Sequence, residues 1–137
     1  MAAPLSFGLL KFFTIEFFRA LVDQLSRDPS LTKLTKGMKT TLLLGCTGKD
    51  SAFLITVLDE HLDLREVSSD EKAEFRFTAP YERWEKIARG EAKMQGDVLS
   101  GRIRFRGSMT KMLLYVNRVI GLERKAVEIM KGMDILF

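Results

Sequence analysis

Ser100-Gly101-Arg102-Ile103-Arg104-Phe105-Arg106-Gly107 alternates cationic and apolar side chains without a break between two glycines. Side chains two apart on an extended chain share a face, so strict alternation marks a half-buried strand. The run predicts a strand from Gly101 to Gly107 that turns Ile103 and Phe105 inward and sets Arg102, Arg104 and Arg106 on the opposite side. Glycines close it at both ends. It also poses the functional question of whether the protein works through a greasy face, a basic face or both.

Upstream, Ala73 to Thr78 repeats the pattern, with Phe75 and Phe77 on one face and Glu74 and Arg76 on the other. Pro80 and Gly90 bracket a helix, Tyr81 to Arg89, whose apolar stripe is Tyr81, Trp84, Ile87 and Ala88. A short irregular piece, Glu91 to Leu99, joins it to the alternating strand. Met38 to Gly45 reads as a strand, and Thr47-Gly48-Lys49-Asp50 as a hairpin turn into a second, Ser51 to Leu58. That second strand is apolar on both faces and belongs inside the sheet. Asp59-Glu60-His61 turns into a more exposed third strand, Leu62 to Ser68, followed by a polar surface loop, Ser68 to Lys72. The chain's first helix is expected from Ser6 to Ser26, ended by Arg27-Asp28-Pro29-Ser30, with a connector carrying Leu31 and Leu34 after it. Ser108 to Leu122 reads as a helix with Met109, Met112, Leu113, Val116, Val119 and Ile120 on its apolar side. After Gly121 a separate apolar segment, Glu123 to Phe137, carries Met130 and Met133 to the ending Ile135-Leu136-Phe137. With no repeat and no long linker, residues 1–137 form one α+β domain.

The 137 residues are enough to bury about two thirds of the unfolded surface, so the domain needs no staples. The single Cys46 excludes an intramolecular disulfide. With no cleavable signal pattern, a reducing, cytoplasmic setting is expected. Phe7 to Leu25 is rich in Phe and Leu, but Lys11, Glu16, Arg19 and Asp23 interrupt it, which excludes a membrane span. A net charge of +4, from 22 basic and 18 acidic residues, permits anionic partners without the strong bias of a nucleic-acid binder. Seven Met and ten Phe suit either an ordinary core or an adaptable apolar cavity.

Patterns that would carry catalysis or metal binding fail on inspection. Gly45-Cys46-Thr47-Gly48-Lys49-Asp50-Ser51 has its glycines too close for a phosphate-binding loop, and a strand rather than a helix follows. Asp59, His61 and Asp63 gather the one histidine with carboxylates, yet no second His or nearby Cys completes a site. Cys46 and His61 fall near opposite ends of one strand, too far apart for a dyad. No enzyme, cofactor or metal is expected. The row Arg102, Arg104, Arg106, extended by Arg76, is the best candidate for an anionic head-group or surface contact, and equally a solvated outer face. No aromatic residue interleaves with these arginines on their own face, so no nucleic acid is expected.

Glu74-Phe75-Arg76-Phe77-Thr78-Ala79-Pro80-Tyr81, then Trp84 through Ala92, then Leu99 through Ser108, in this order, resemble the sterol carrier protein family, the type-two lipid-transfer domain. The likeness runs from about residue 40 to residue 122. It implies a five-stranded mixed sheet with helices packed on one face around an apolar tunnel that takes up fatty acyl chains, acyl-coenzyme A, phospholipids or sterols. On the resemblance, the function is non-enzymatic binding of such ligands and their transfer between membranes. Phe75, Phe77, Trp84, Ile87, Phe105, Met109, Met112, Leu113 and Val116 are the lining candidates, with Met130 and Met133 as a gate. The chain departs from the family in its bulky Phe75 and Phe77, which narrow the tunnel, and in the apolar ending Ile135-Leu136-Phe137, which would cap the cavity, pair in a homodimer or touch a membrane transiently. The alternative is an interaction module that uses its apolar termini for oligomerisation or partner binding.

Overall fold

The structure, a computed structural model, describes residues 8–137. Its alternating segments pair into one mixed sheet of β2 (Lys39–Cys46), β3 (Ser51–Leu58), β4 (His61–Ser68), β5 (Phe75–Ala79) and β6 (Arg104–Gly107), in the order β4-β3-β2-β5-β6. β2, β3 and β4 form an antiparallel meander, β5 runs parallel to β2, and β6 is antiparallel to β5. β3, apolar on both faces, is flanked on both sides, and β4 takes an edge. The register sets Leu42 beside Phe75, Leu44 beside Phe77, and Phe77 beside Phe105 on the inner face, while Leu43, Arg76 and Arg106 lie in a row on the outer face.

In the alternating run, Ile103 is 1% exposed, Phe105 half-buried and all three arginines exposed. The ladder begins only at Arg104, because the Ile103 N–H donates to the Asp97 carbonyl instead, at 3.0 Å. Gly107 closes the strand at φ +149, where a Cβ would lie 2.7 Å from the Glu74 carbonyl oxygen and 2.8 Å from Phe75 Cδ1. No other residue type fits there.

Among the described residues, five helices accompany the sheet: α1 (Ile15–Arg27), α2 (Pro29–Thr35), α3 (Tyr81–Ala88), α4 (Met94–Leu99) and α5 (Met109–Met130). α1, α3 and α5 close over the inner face, with α2 and α4 packed against α5. The outer face is covered differently. β4 and β5 are separated in the sheet by β3 and β2, so the chain between them must cross two strands, and its Ala73, with Val67 of β4, packs onto the cluster of Leu43, Ala52 and Leu54. The Arg76 guanidinium pins this crossing by donating to the carbonyls of Ser69 and Glu71.

Several expectations are corrected. The first helix begins at Ile15, where the Thr14 hydroxyl accepts from the Phe17 N–H, rather than at Ser6, which lies outside the described residues. Ahead of it, β1 (Leu10–Lys11) pairs in parallel with β7 (Ile135–Leu136), so the apolar ending is held by the chain's own first strand. The connector after Pro29 is the helix α2, because Asp28 caps it through the Ser30 N–H and Pro29 fills its first turn. The irregular piece Glu91 to Leu99 contains α4. Finally, Gly121 does not end a helix. α5 runs through it to Met130, and a Cβ there would meet Leu34 Cδ2 at 2.5 Å, so the missing side chain serves the packing of α2 on α5.

Candidate functional site

Two adjoining apolar cavities lie between the sheet and its helices. The first, about 140 Å³, is bounded by Phe12, Phe13, Phe17, Phe18, Leu21, Val22 and Leu25 at the start of the chain, and by Leu42, Leu44, Ile55, Val57, Leu62 and Phe77 from the sheet. Trp84, Ile87 and Ala88 of α3 and Val119, Leu122, Ala126, Val127 and Met130 of α5 complete it. The second, about 180 Å³, lies between Phe77 and Phe105 of the sheet, Val98 and Leu99 of α4, and Met109, Met112, Leu113, Val116 and Ile120 of α5. Phe77, Met94, Val119 and Glu123 stand in both walls and mark the junction. Of the two bulky phenylalanines, Phe77 stands in both walls and Phe75 in neither.

Local interactions set these walls. Thr14 starts α1 immediately after Phe13, which adopts φ +60, a conformation rare for a bulky residue. Packing holds it there: Phe13 stacks on Trp84 at 5.5 Å and meets Phe18 and Phe53 edge-on at 5.2 and 5.4 Å. Trp84 is anchored in turn by its indole N–H, which donates to the Gly45 carbonyl at 2.9 Å. α4, only one and a half turns long, is held by partners distant in sequence. The Arg83 guanidinium of α3 grips the buried Asp97 carboxylate with contacts of 2.7 to 3.0 Å, and the Glu123 carboxylate accepts the Met94 N–H at 2.9 Å. Burial pushes the Glu123 carboxyl above the usual carboxylate range, against the opposing pull of the Met94 amide and Lys93, and Asp97 adds to the rise.

Among the lining candidates, Phe77, Trp84, Ile87 and Met130 border the first cavity, and Phe77, Phe105, Met109, Met112, Leu113 and Val116 the second. Phe75 and Met133 border neither. Phe75 is 0% exposed, in the core beneath Gly107, and Met133 lies in the turn between α5 and β7. Arg102, Arg104 and Arg106 are exposed, whereas Arg76 is half-buried and donates to the two loop carbonyls. The sheet register separates Cys46 from His61, which sit at opposite ends of the β2–β4 meander, and burial raises the Cys46 thiol. No cluster of three or more metal-ligating side chains occurs among the described residues.

Sequence reasoning missed Glu123 and the first-cavity wall from α1 and, apart from Met130, from the second half of α5. The signal was present: Val116, Val119, Ile120, Glu123, Val127 and Met130 follow one helical stripe, legible once Gly121 is read through. The outer rim of the second cavity is apolar and open, with Leu99 79%, Met109 56% and Leu113 68% exposed.

The SCP-2 sterol transfer family model matches residues 18–118 of this chain. The chain belongs to that family. Solved structures share its fold. A crystal structure of sterol carrier protein 2 superposes with a TM-score of 0.76 at 16% identity, covering 85% of this chain and 98% of its own. A conserved hypothetical protein from Thermus thermophilus gives 0.70 at 14%, covering 84% and 89%. The fold also recurs inside a longer enzyme, the stereoselective inverting sec-alkylsulfatase Pisa1 from Pseudomonas sp., with a TM-score of 0.57 at 20% identity, over 78% of this chain and 16% of that one. No curated protein matches the chain. No helix among the described residues is long and apolar enough to cross a membrane.

Proposed function

We propose that this SCP-2 family domain takes up the apolar part of a lipid in its paired cavities, without catalysing a reaction on it, and shields it from water during passage between membranes. Family membership suggests lipid or sterol binding in general. The observation that carries the reading for this chain is the pair of adjoining apolar cavities, of about 140 and 180 Å³, the second under an apolar rim. Each is close to the roughly 150 Å³ at which an apolar void stays dry and accepts a small hydrophobic guest. Each methylene moved into such a space from water gains about 0.8 kcal/mol, so a chain spanning both is held without polar machinery. Met94, Met109, Met112 and Met130 on the walls add adaptability. The described chain ends pair with each other through β1 and β7, so the apolar ending is accounted for within one molecule.

Native mass spectrometry of protein purified from cells, with extraction of bound lipid, tests the binding directly. Co-purifying lipid is expected, and delipidated protein should take it up again. Val119→Phe, which fills the junction, should reduce that uptake at least about tenfold while the fold, followed by circular dichroism, persists. Absence of any bound lipid, together with no uptake by the wild type, would overturn the reading.

A further inference from the structure

Glu123 stands out in the walls of both cavities, where every other side chain is apolar except Gln95. Placing a carboxylate there carries a desolvation cost, and Oε2 offsets part of it by accepting the Met94 N–H at 2.9 Å. Its other oxygen, Oε1, has no hydrogen-bond partner among the described residues, and it is not sealed from contact. The same residue borders a surface groove with Lys93, Arg124 and Lys131. A polar group beside Glu123 therefore has a wet neighbourhood on one side and two apolar chambers on the other.

We propose that Glu123 determines specificity: it accepts a hydrogen bond from the hydroxyl end of an amphiphile whose apolar portion occupies the cavities, and it discriminates against amphiphiles that end in a carboxylate. This rests on the reading of the cavities as ligand sites. An ionised carboxylate is a pure acceptor, so an alcohol O–H complements it. A second carboxylate in its place would set like charges side by side in a poorly hydrated space, and both would resist ionisation. A hydrogen bond to a charged acceptor is among the stronger kinds, and a polar group left unpaired on binding is penalised.

The test is titration calorimetry of the full chain with dodecan-1-ol and with dodecanoate, both below their aggregation limits, at pH 8. In the wild type dodecanol should bind at least about tenfold tighter than dodecanoate. Glu123→Gln keeps an acceptor for the Met94 N–H and removes the charge, and should bring the two affinities within about threefold. Glu123→Leu should weaken dodecanol about tenfold without weakening dodecanoate. Equal wild-type affinities, with both ligands bound, overturn this proposal and leave the cavity reading standing. Tighter dodecanoate binding also overturns it and assigns the head to Lys93, Arg124 and Lys131. If neither ligand binds, the cavity reading falls as well. A wild-type preference that persists unchanged in Glu123→Gln, shown by circular dichroism to be folded, also overturns the proposal, because desolvation of the carboxylate head then accounts for it without Glu123.

Discussion

At the scale of single residues, two glutamates respond to pH in opposite senses. Glu123 is held above its ordinary value by burial, so the folded state binds its proton more tightly than the unfolded state. Its stabilising contribution is present below the ordinary Glu pKa and is lost as pH rises through the folded value. Glu123→Gln is expected to raise Tm by a few degrees at pH 8, with the gain vanishing toward pH 4, as read by thermal circular dichroism. Glu74 is held below its ordinary value, first by the Thr40 hydroxyl at 2.6 Å and then by Lys111 at 2.9 Å. Its contribution is present above the ordinary Glu pKa and is lost as pH falls through the folded value. Glu74→Gln should therefore lower Tm at pH 7, and the deficit should shrink as the pH falls below the ordinary Glu range, as read by thermal circular dichroism. Gly107 makes a steric rather than electrostatic demand. With φ +149 and less than 3 Å between a built Cβ and both Glu74 and Phe75, Gly107→Ala should cost about 2 kcal/mol in urea unfolding.

At the scale of elements, short α4 depends on its neighbours more than on its own sequence. A six-residue helix is not stable alone, and its N-cap residue, Lys93, supplies no side-chain cap. Arg83 and Glu123 fix it from α3 and α5. Arg83→Met strands the buried Asp97 carboxylate and should lower Tm by about 5 °C or more, and replacing Asp97 with Leu in the same chain should restore part of the loss. α3 and the five strands of the mixed sheet were legible because their periodicities and their Pro and Gly boundaries are local, whereas β1 and β7 were not. α4 was not, because its helical state is imposed by residues up to 29 positions away. α2 lay in between: Asp28-Pro29-Ser30 holds a helix-start signal as clear as the stop signal it also carries. Gly121 misled because a glycine that accommodates Leu34 looks the same in sequence as one that ends a helix.

At the scale of the whole molecule, the second cavity opens beneath a rim of exposed apolar side chains. Leu114, 74% exposed and next to Leu113, belongs to that surface but not to the cavity walls. Leu114→Glu is expected to slow lipid transfer between vesicles several-fold in a fluorescence assay while the affinity for dodecanol in solution stays unchanged. An equal loss in both measurements would show that this surface shapes the cavity instead of meeting the membrane. Most lining candidates do lie on cavity walls, because inward-facing strand positions and the apolar stripe of a helix follow from period alone. Phe75 and Met133 show the limit: pattern tells inward from outward, yet it cannot tell a core position from one beside a void.

By itself, the sequence determined that the fold is α+β, that Gly101 to Gly107 turns its isoleucine and phenylalanine inward and its arginines outward, and that the family signature spans the β5, α3 and β6 region. These are consequences of side-chain alternation and of backbone rules at proline and glycine, which act over a few residues. Tertiary structure alone decided that Arg76 clamps a crossing loop, that β7 closes on β1, and that Glu123 sits between two apolar chambers. Each depends on contacts between different segments of the chain or on space left between packed elements, and no local pattern encodes the volume that packing leaves empty.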